Sequence, residues 1–571
     1  LDENKWLDDK IQKQYKEGLN YQAQMQFTSK WPEYERFKAG DQWPPATEKT
    51  KNLPRPVFNI IDYIENHKVA SVLNENIKMV FSSQEIEKVE EGQEPTNLEI
   101  AQSMNGAEMF SKYSETTWEN IQQDMINEEV LDSASNIGTG IVHYFWNNSV
   151  KGGVTNKYIG DMEGEFLDPI NVFFGNPQQK NVQKQPYILI SSRDLVSNLK
   201  EAAKNSEVPL EYIEQIKSDK DTEDEGYDSA KVELTGTEKA TVITKYFKKN
   251  GTVWFKKVVG NVMVYPETDT QLRIYPIAIM QWKPRKKSVY GVGDTEGLIP
   301  NQKGINFLLA MMLLSAQETA WPKILAKPGA LNGQIVTNQP GEIIYDYSNS
   351  PNGDGIKYMN TQNGFNTTSL VLVDKFIEIT KTFSGTNDAA VGEAPGANIA
   401  ASAIMMLQKA AGVPIESIRK RFYRYCEDVG RIWEEFWKVK YNLTRMIKVK
   451  DQDDKEEMAE FLGTDYINIP FNLKIDIGPA GAYSESLAQS TLDKLFDSQQ
   501  IDLETYLKYS PKSAMPYKDS LLRDVKQKQQ EQAVIQAQMM QEQLGTTLDM
   551  QGQPQAPIIK PSVDKVASGQ M

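Results

Sequence analysis

Eight consecutive apolar residues, FLLAMMLL at positions 307–314, constrain this chain more than any other stretch. At 3.6 residues per turn they fill two turns of a helix, which then has no polar side to offer water. Such a helix needs cover all round, from lipid, from its own chain or from other copies. Lipid is excluded by length, because a membrane-spanning helix takes roughly 20 apolar residues. Here Asn306 precedes the run, and Gln317 and Glu318 follow closely. No other window comes nearer, and the chain as a whole is hydrophilic, with a mean hydropathy of -0.54. The opening LDENKWLDDK carries neither the basic nor the apolar region of a signal peptide. A soluble protein made in the cytoplasm, with no membrane partner, is therefore expected.

Charge and cysteine content narrow the classes further. The 63 basic and 78 acidic residues give a net charge of -15. Affinity for nucleic acid comes mostly from neutralising phosphates, so a general phosphate binder is excluded. Acidity instead keeps a protein soluble and self-repelling. The single cysteine, Cys426, rules out an internal disulfide framework and fits a reducing compartment. A chain of 571 residues has length for about three to four domains.

The first 45 residues read as peripheral helix. Trp6, Leu7, Ile11, Tyr15 and Leu19 recur at steps of three and four, one stripe of an amphipathic helix, before Pro32, Pro44 and Pro45 end the segment. In residues 53–81, Pro54 and Pro56 fix an extended entry and Asn59 is the expected N-cap. Ile60, Ile61, Ile64, Val69, Val72 and Leu73 supply the buried face. A second long helix is expected from about Glu115 to Asn136, ahead of a strand at 141–146. Between about 141 and 285 strands take over, at 187–195, 240–265 and 274–282, with Asn250-Gly251 marking a hairpin. A charged helical piece (197–218) and an acidic loop (219–228) interrupt them.

Beyond Pro284 the chain turns helical through FLLAMMLL until Pro322, then runs turn-rich with a few short strands. A second apolar helix (369–383), a loop of small residues (384–402) and a long helix to about Tyr441 follow. In that helix Ile415, Ile418, Phe422, Tyr425, Val429, Ile432 and Phe436 form a seam expected to face other helices. Gly412-Val413-Pro414 should kink it near its start. A strand pair (467–477), helices at 484–510 and 518–544, and a disordered Pro/Gln/Gly-rich tail from Gly545 complete the reading.

Chemistry-bearing motifs are weak. His67 and His143 have no metal-spaced partners, so the usual zinc sites are excluded and both read as packed or surface histidines. There is no Gly-x-Ser-x-Gly elbow and no Gly-Lys-Ser/Thr phosphate loop. Cys426, without a histidine, reads as a small core thiol. In GVGDTEG (291–297) the third glycine falls one position late for dinucleotide binding; a glycine turn before a helix, capped by Asp294 or Thr295, fits better. The acidic run from Asp221 starts like a calcium loop, but Val232 stands where the glutamate belongs. A divalent-metal hydrolase built on Asp221 is the weakest reading. The basic cluster Arg419-Lys420-Arg421 with Arg424 suits solvation or inter-subunit pairing better than phosphate contact. No catalytic residues, no metal and no cofactor are expected, and the chain reads as a non-enzyme.

The two apolar helices flanking the turn-rich insertion suggest an antiparallel pair. Each would bury one face on the other, leaving Phe307, Leu308, Met311 and Met312 to be covered by copies of the same pair. A ring of subunits would do this, with the insertion projecting from one end.

The order of elements resembles the portal proteins of tailed bacteriophages, the head-to-tail connectors. LPRPVFNIIDYIENHKVASVLNENI, LDSASNIGTGIVHYFWN, EGEFLDPINVFFGNP and IYPIAIMQWKPRKKSVYGVGDTEGLIPNQKGIN carry the resemblance, in sequence, over most of the chain. It implies an α+β portal-like subunit: N-terminal helices and an α/β wing (1–286), a first stem helix (287–321), a clip (322–368) and a second stem helix (369–383). A tunnel loop (384–402), a long kinked wing helix with strands (403–480), a helical crown (481–544) and the tail (545–571) would follow. The loop would face DNA through Asn387, Asp388, Glu393 and Asn398, with Gly385, Gly392 and Gly396 as hinges. The resemblance further implies a ring, usually of twelve subunits, at one capsid vertex of the virion, assembled in the bacterial host cytoplasm. Double-stranded DNA would enter and leave through it. The terminase motor, major capsid and scaffolding proteins, and head-completion or tail adaptor proteins would dock outside. The rival reading is a non-viral helical scaffold that assembles through the 415–436 seam and the Gln-rich C-terminal helix (518–544).

Overall fold

Trp6 and Leu7 lie along a sheet edge, not on the first helix. The Met263 amide donates to the Trp6 carbonyl and the Asp8 amide to that of Asn261. Asp8 then caps α1 (Asp9–Gln24), its carboxylate accepting from the Lys10 and Ile11 amides. Ile11 and Tyr15 are buried as the stripe requires. In α2 (Phe27–Lys38) Pro32 sits inside the helix and does not end it. Its missing N–H costs one helical bond, against which Phe27, Trp31, Tyr34 and Phe37 are all buried. Asn59 caps α3 (Ile60–Leu73) by accepting from the Asp62 amide. The apolar residues beyond α3 are not helical: β1 (Ile77–Ser83) alternates, burying Met79 and Phe81.

The computed structural model describes residues 6–74, 77–83, 97–150, 159–219, 238–320, 324–337, 343–348, 354–358, 367–386, 401–450, 456–477, 482–510, 515, 517–518 and 520–528. They fall into two compact units, 1–477 and 478–571. The single helix expected near 115–136 is two, α4 (Asn97–Asn120) and α5 (Gln123–Ile137), separated where Gln122 takes φ 54°. The strands β2 (Thr139–Asn147), β3 (Asp161–Leu167), β4 (Val172–Phe174) and β5 (Tyr187–Leu195) follow. Helices α6 (Val196–Asn205) and α7 (Leu210–Ile213) precede β6 (Lys239–Lys249), β7 (Thr252–Val259), β8 (Val262–Asp269) and β9 (Ile277–Gln281).

These strands make two antiparallel sheets, ordered β3-β2-β9 and β4-β5-β6-β7-β8. Asn250 and Gly251 both take positive φ, 54° and 88°, the geometry a two-residue hairpin turn demands between β6 and β7. Strand alternation gives the larger sheet two apolar faces. Leu189, Ile243 and Val258 pack on α1, while Val242, Val259 and Val264 pack on α6 and α7. The acidic run at 220–237, with Asp221, lies outside the described residues.

A two-residue ladder joins β10 (Lys283–Pro284) and β11 (Gly291–Val292) before α8 (Thr295–Ala320). Short strands β12 (Ile324–Ala326) and β13 (Ile356–Tyr358) pair antiparallel between α8 and α9 (Thr367–Ser384). α10 (Ala401–Lys440) runs through Pro414 as one helix. Its seam from Ile415 to Phe436 is fully buried, against the helices α3 and α4, as expected, and against strands as well. Aromatic Phe422, Trp433, Phe436 and Trp437 anchor this core against β9 and the last strands. Those are β14 (Arg445–Lys450), β15 (Glu456–Phe461) and β16 (Phe471–Ile477). The expected strand pair at 467–477 is a single strand: β16 pairs with the distant β1, and β14 pairs with β15.

In the second unit, α11 (Ala482–Asp497) and α12 (Leu503–Tyr509) are separate helices, Asp502 capping α12. The Tyr506 hydroxyl donates to Asp493 at 2.7 Å and ties the two together. The tail from Gly545 lies outside the described residues. The chain is thus α+β.

Candidate functional site

Among the described residues of α8, burial stops at Asn306. Leu298, Ile299, Gln302, Ile305 and Asn306 are all buried, whereas the apolar run that follows includes no buried residue. α9 lies antiparallel to it. Asn301 donates to Thr380 at 3.2 Å, and a Cβ on Gly304 would lie 3.7 Å from the Phe376 ring. This contact covers one side only. Phe307 is 59 % exposed, Met311 50 % and Leu313 46 %, and on α9 Leu370, Val371, Leu372, Ile379 and Phe383 are exposed too. Leu308 and Met312 are half-buried. An apolar surface of this kind on an otherwise hydrophilic chain marks a contact site.

The root of α8 is held differently, by buried polar groups. Gln302 accepts from the Ile60 amide at 3.0 Å and donates to the Phe58 carbonyl at 2.7 Å and to Asn306 at 3.0 Å. Asn306 in turn donates to Gln42 at 2.6 Å. Asp294 stands at the N-cap position, its carbonyl accepting from the Leu298 amide at 3.2 Å, while its carboxylate pairs with Lys68 at 2.6 Å and Lys283 at 2.5 Å. Thr295 donates its hydroxyl to Glu65 and lies 2.8 Å from the Asn136 amide oxygen. Lys38 completes the cluster, 3.5 Å from Glu65 and bonded to Asp132. Three lysines thus face three carboxylates.

The two carboxyls shift in opposite directions. Burial raises the Glu65 carboxyl to about 7, Lys38 and the Thr295 hydroxyl only partly opposing it. Burial raises Asp294 too, but Lys68 and Lys283 outweigh it and hold that carboxyl below its ordinary range. No sequence motif announced this cluster, since bonded members such as Glu65 and Thr295 stand 230 residues apart. A signal was present nonetheless: Glu65 and Lys68 fall on the same helical stripe as Ile61, Ile64 and Val72.

The glycine turn before α8 is explained by close approach. A Cβ on Gly293 would lie 2.0 Å from the Asn136 carbonyl oxygen, and one on Gly138, at φ 99°, 2.5 Å from the Val292 nitrogen. The turn therefore lies directly on the end of α5.

At the other end of α9, Gly385 takes φ 81°, and a Cβ there would lie 3.0 Å from the Pro414 Cβ. Asn387, Asp388, Gly392, Glu393, Gly396 and Asn398 lie outside the described residues. His143 is buried between Glu165 and Tyr246, and His67 is half-buried, burial and Lys68 lowering its pKa. Burial pushes the Cys426 thiol far up, as befits an inert core thiol. The basic cluster is used within the chain: Arg419 donates to the Ser71 carbonyl, Arg421 to that of Trp282, and Arg424 pairs with Glu427. Among the described residues no group of histidine, cysteine and acidic side chains could hold a metal, and no helix is long and apolar enough to cross a membrane.

A family model described as Phage P22-like portal protein matches residues 196–557, more than half of the chain. No curated protein matches it.

Proposed function

Because the chain belongs to the phage P22-like portal protein family, we propose that it forms a ring-shaped channel at one capsid vertex, through which double-stranded DNA is packaged and ejected. The uncovered apolar surface of α8 and α9 carries this reading. Within one copy Phe307, Met311 and Leu313 face solvent, and neighbouring copies of the same helix pair would cover them. The described strands β12 and β13 belong to the insertion that would project from the stem as the clip, where terminase and the head-completion or tail adaptor proteins dock.

A channel wall must pass DNA without retaining it. Each neutralised phosphate adds salt-sensitive affinity, so a basic lumen would slow movement. Twelve copies at -15 each carry about -180, a charge that repels the duplex. The segment 384–402, with Asn387, Asp388, Glu393 and Asn398, is assigned to the lumen. ATP hydrolysis is left to the terminase. The rival helical scaffold loses its main support, because the seam from Ile415 to Phe436 is already buried within the chain.

Native mass spectrometry with negative-stain imaging tests the proposal. A species of about twelve times 64.7 kDa with a central hole is expected, alone or once scaffold and capsid proteins are supplied. A small closed oligomer that stays small with those partners present would rule the ring out.

A further inference from the structure

A cleft of about 540 Å³ separates the two sheets, and no residue of α8 or α9 lines it. That size lies within the range of pockets that hold one small ligand. Strand register sets Ile190, Thr244, Lys257 and Tyr265 in one row across β5 to β8. Beside that row Phe255 stacks on Tyr265 at 5.2 Å and lies 5.9 Å from Tyr246.

On the opposite wall His143 is fully committed. Its Nδ1 lies 2.8 Å from Glu165 and its Nε2 2.9 Å from the Tyr246 hydroxyl. With Glu165 ionised, Nδ1–H donates to it, Nε2 accepts, and the Tyr246 hydroxyl donates to Nε2. This trio is a rigid wall and offers no spare donor.

Other groups in the cleft do have hydrogen-bonding capacity left over. Thr244 is 8 % exposed and its hydroxyl has no hydrogen bond among the described residues. That hydroxyl is open to the cleft and free to donate to a ligand. Lys257, its cross-strand neighbour, has no acidic partner among the described residues. Lys440 adds a second ammonium, its pKa lowered by burial with Asp269 opposing. Glu165 bonds His143 and is otherwise half exposed, and Asp269 accepts from the Gln271 amide at 2.8 Å with Lys440 nearby. Lys440 thus serves Asp269, and the ammonium left over is that of Lys257, beside the aromatic faces, which suits an anion on a flat ring.

We propose that this cleft binds a planar ring bearing an anionic group, of the size of a nucleoside monophosphate. The ring stacks on Tyr265 and Phe255, and the anion accepts hydrogen bonds from Lys257 and Thr244.

Calorimetric titration of the full chain with AMP, phenyl phosphate and inorganic phosphate tests this. AMP or phenyl phosphate should bind with Kd below about 1 mM, and inorganic phosphate about tenfold more weakly. Lys257→Ala and Thr244→Val should each weaken binding about tenfold, the loss of one charge-assisted hydrogen bond, with thermal unfolding unchanged. Thr244→Ser should restore it. AMP binding tighter than phenyl phosphate identifies a nucleotide site; equal binding identifies a site for aromatic anions generally. The proposal is overturned if neither ring-bearing anion binds, or if Lys257→Ala and Thr244→Val both bind as wild type does.

Discussion

Lys68 and Asp294 approach to 2.6 Å, each almost wholly buried, and join α3 to the residue just before α8. Removing one partner from a buried pair leaves an uncompensated charge. Asp294→Ala should therefore cost about 3–5 kcal/mol, read as a lowered midpoint in urea unfolding. The double variant Lys68→Met/Asp294→Leu should lose much less. An Asp294→Ala chain as stable as wild type would deny the pair its role in seating α8.

Glu65 gives this root a pH dependence of known sign. Its carboxyl is raised from 4.5 to about 7, so the folded chain holds a proton there that the unfolded chain has released. The resulting stability is complete below pH 4.5 and is lost as pH rises through about 7. It amounts to something on the order of 3 kcal/mol. Glu65→Gln, neutral at every pH, should flatten the stability profile in that window. Parallel profiles for wild type and variant would show that Glu65 is not the titrating group.

Much of this was readable from spacing, and what was not has a common cause. The hairpin at Asn250-Gly251, the Asn59 cap and the α10 seam each depend on residues near one another in sequence, where turn chemistry and periodicity act. The pairing of β1 with β16 and the ion pair of Lys68 with Asp294 join residues hundreds of positions apart, and no local pattern encodes them. Asp294 holds the N-cap position, but its carboxylate is taken by a lysine distant in sequence. A short acidic side chain before a helix satisfies every local rule for a cap, while the lysine that claims it lies on α3. At the stem, the apolar run told that cover was required but not which side α9 would supply.

The stem surface should be separable from the fold. Phe307 and Met311 are exposed in the single chain, so Phe307→Glu/Met311→Glu should leave the circular dichroism spectrum and thermal midpoint nearly unchanged. Ring formation, followed by sedimentation velocity with scaffold and capsid proteins present, should fall at least tenfold, because charges would be forced into a desolvated contact. Rings at wild-type yield would move the subunit contact elsewhere.

Gly293 tolerates no side chain. The Cβ of Gly293→Ala would lie 2.0 Å from a backbone oxygen of α5, which cannot swing aside as a flexible side chain could. A loss of about 1–3 kcal/mol or more is expected, measured by thermal or urea unfolding. An unchanged midpoint would mean that the turn sits farther from α5.

For the segment assigned to the lumen, deletion of 386–398 should leave ring yield intact and reduce the amount of DNA packaged or retained per particle. Full-length genomes held as well as by wild type would remove the segment from the DNA path.

The contact of Gly385 with Pro414 fixes the end of α9 against α10, so the segment between Thr386 and Ala401, the first residue of α10, has both of its anchors set by the folded body. The distance to be bridged therefore stays the same whatever is spliced in. Loop entropy grows only with the logarithm of length, about 0.6 kcal/mol per doubling. Segments of quite different length and composition can therefore be exchanged there with little effect on the rest of the subunit. A lineage of such chains could revise this one segment freely while α9 and the buried part of α10 stay under tight packing constraint.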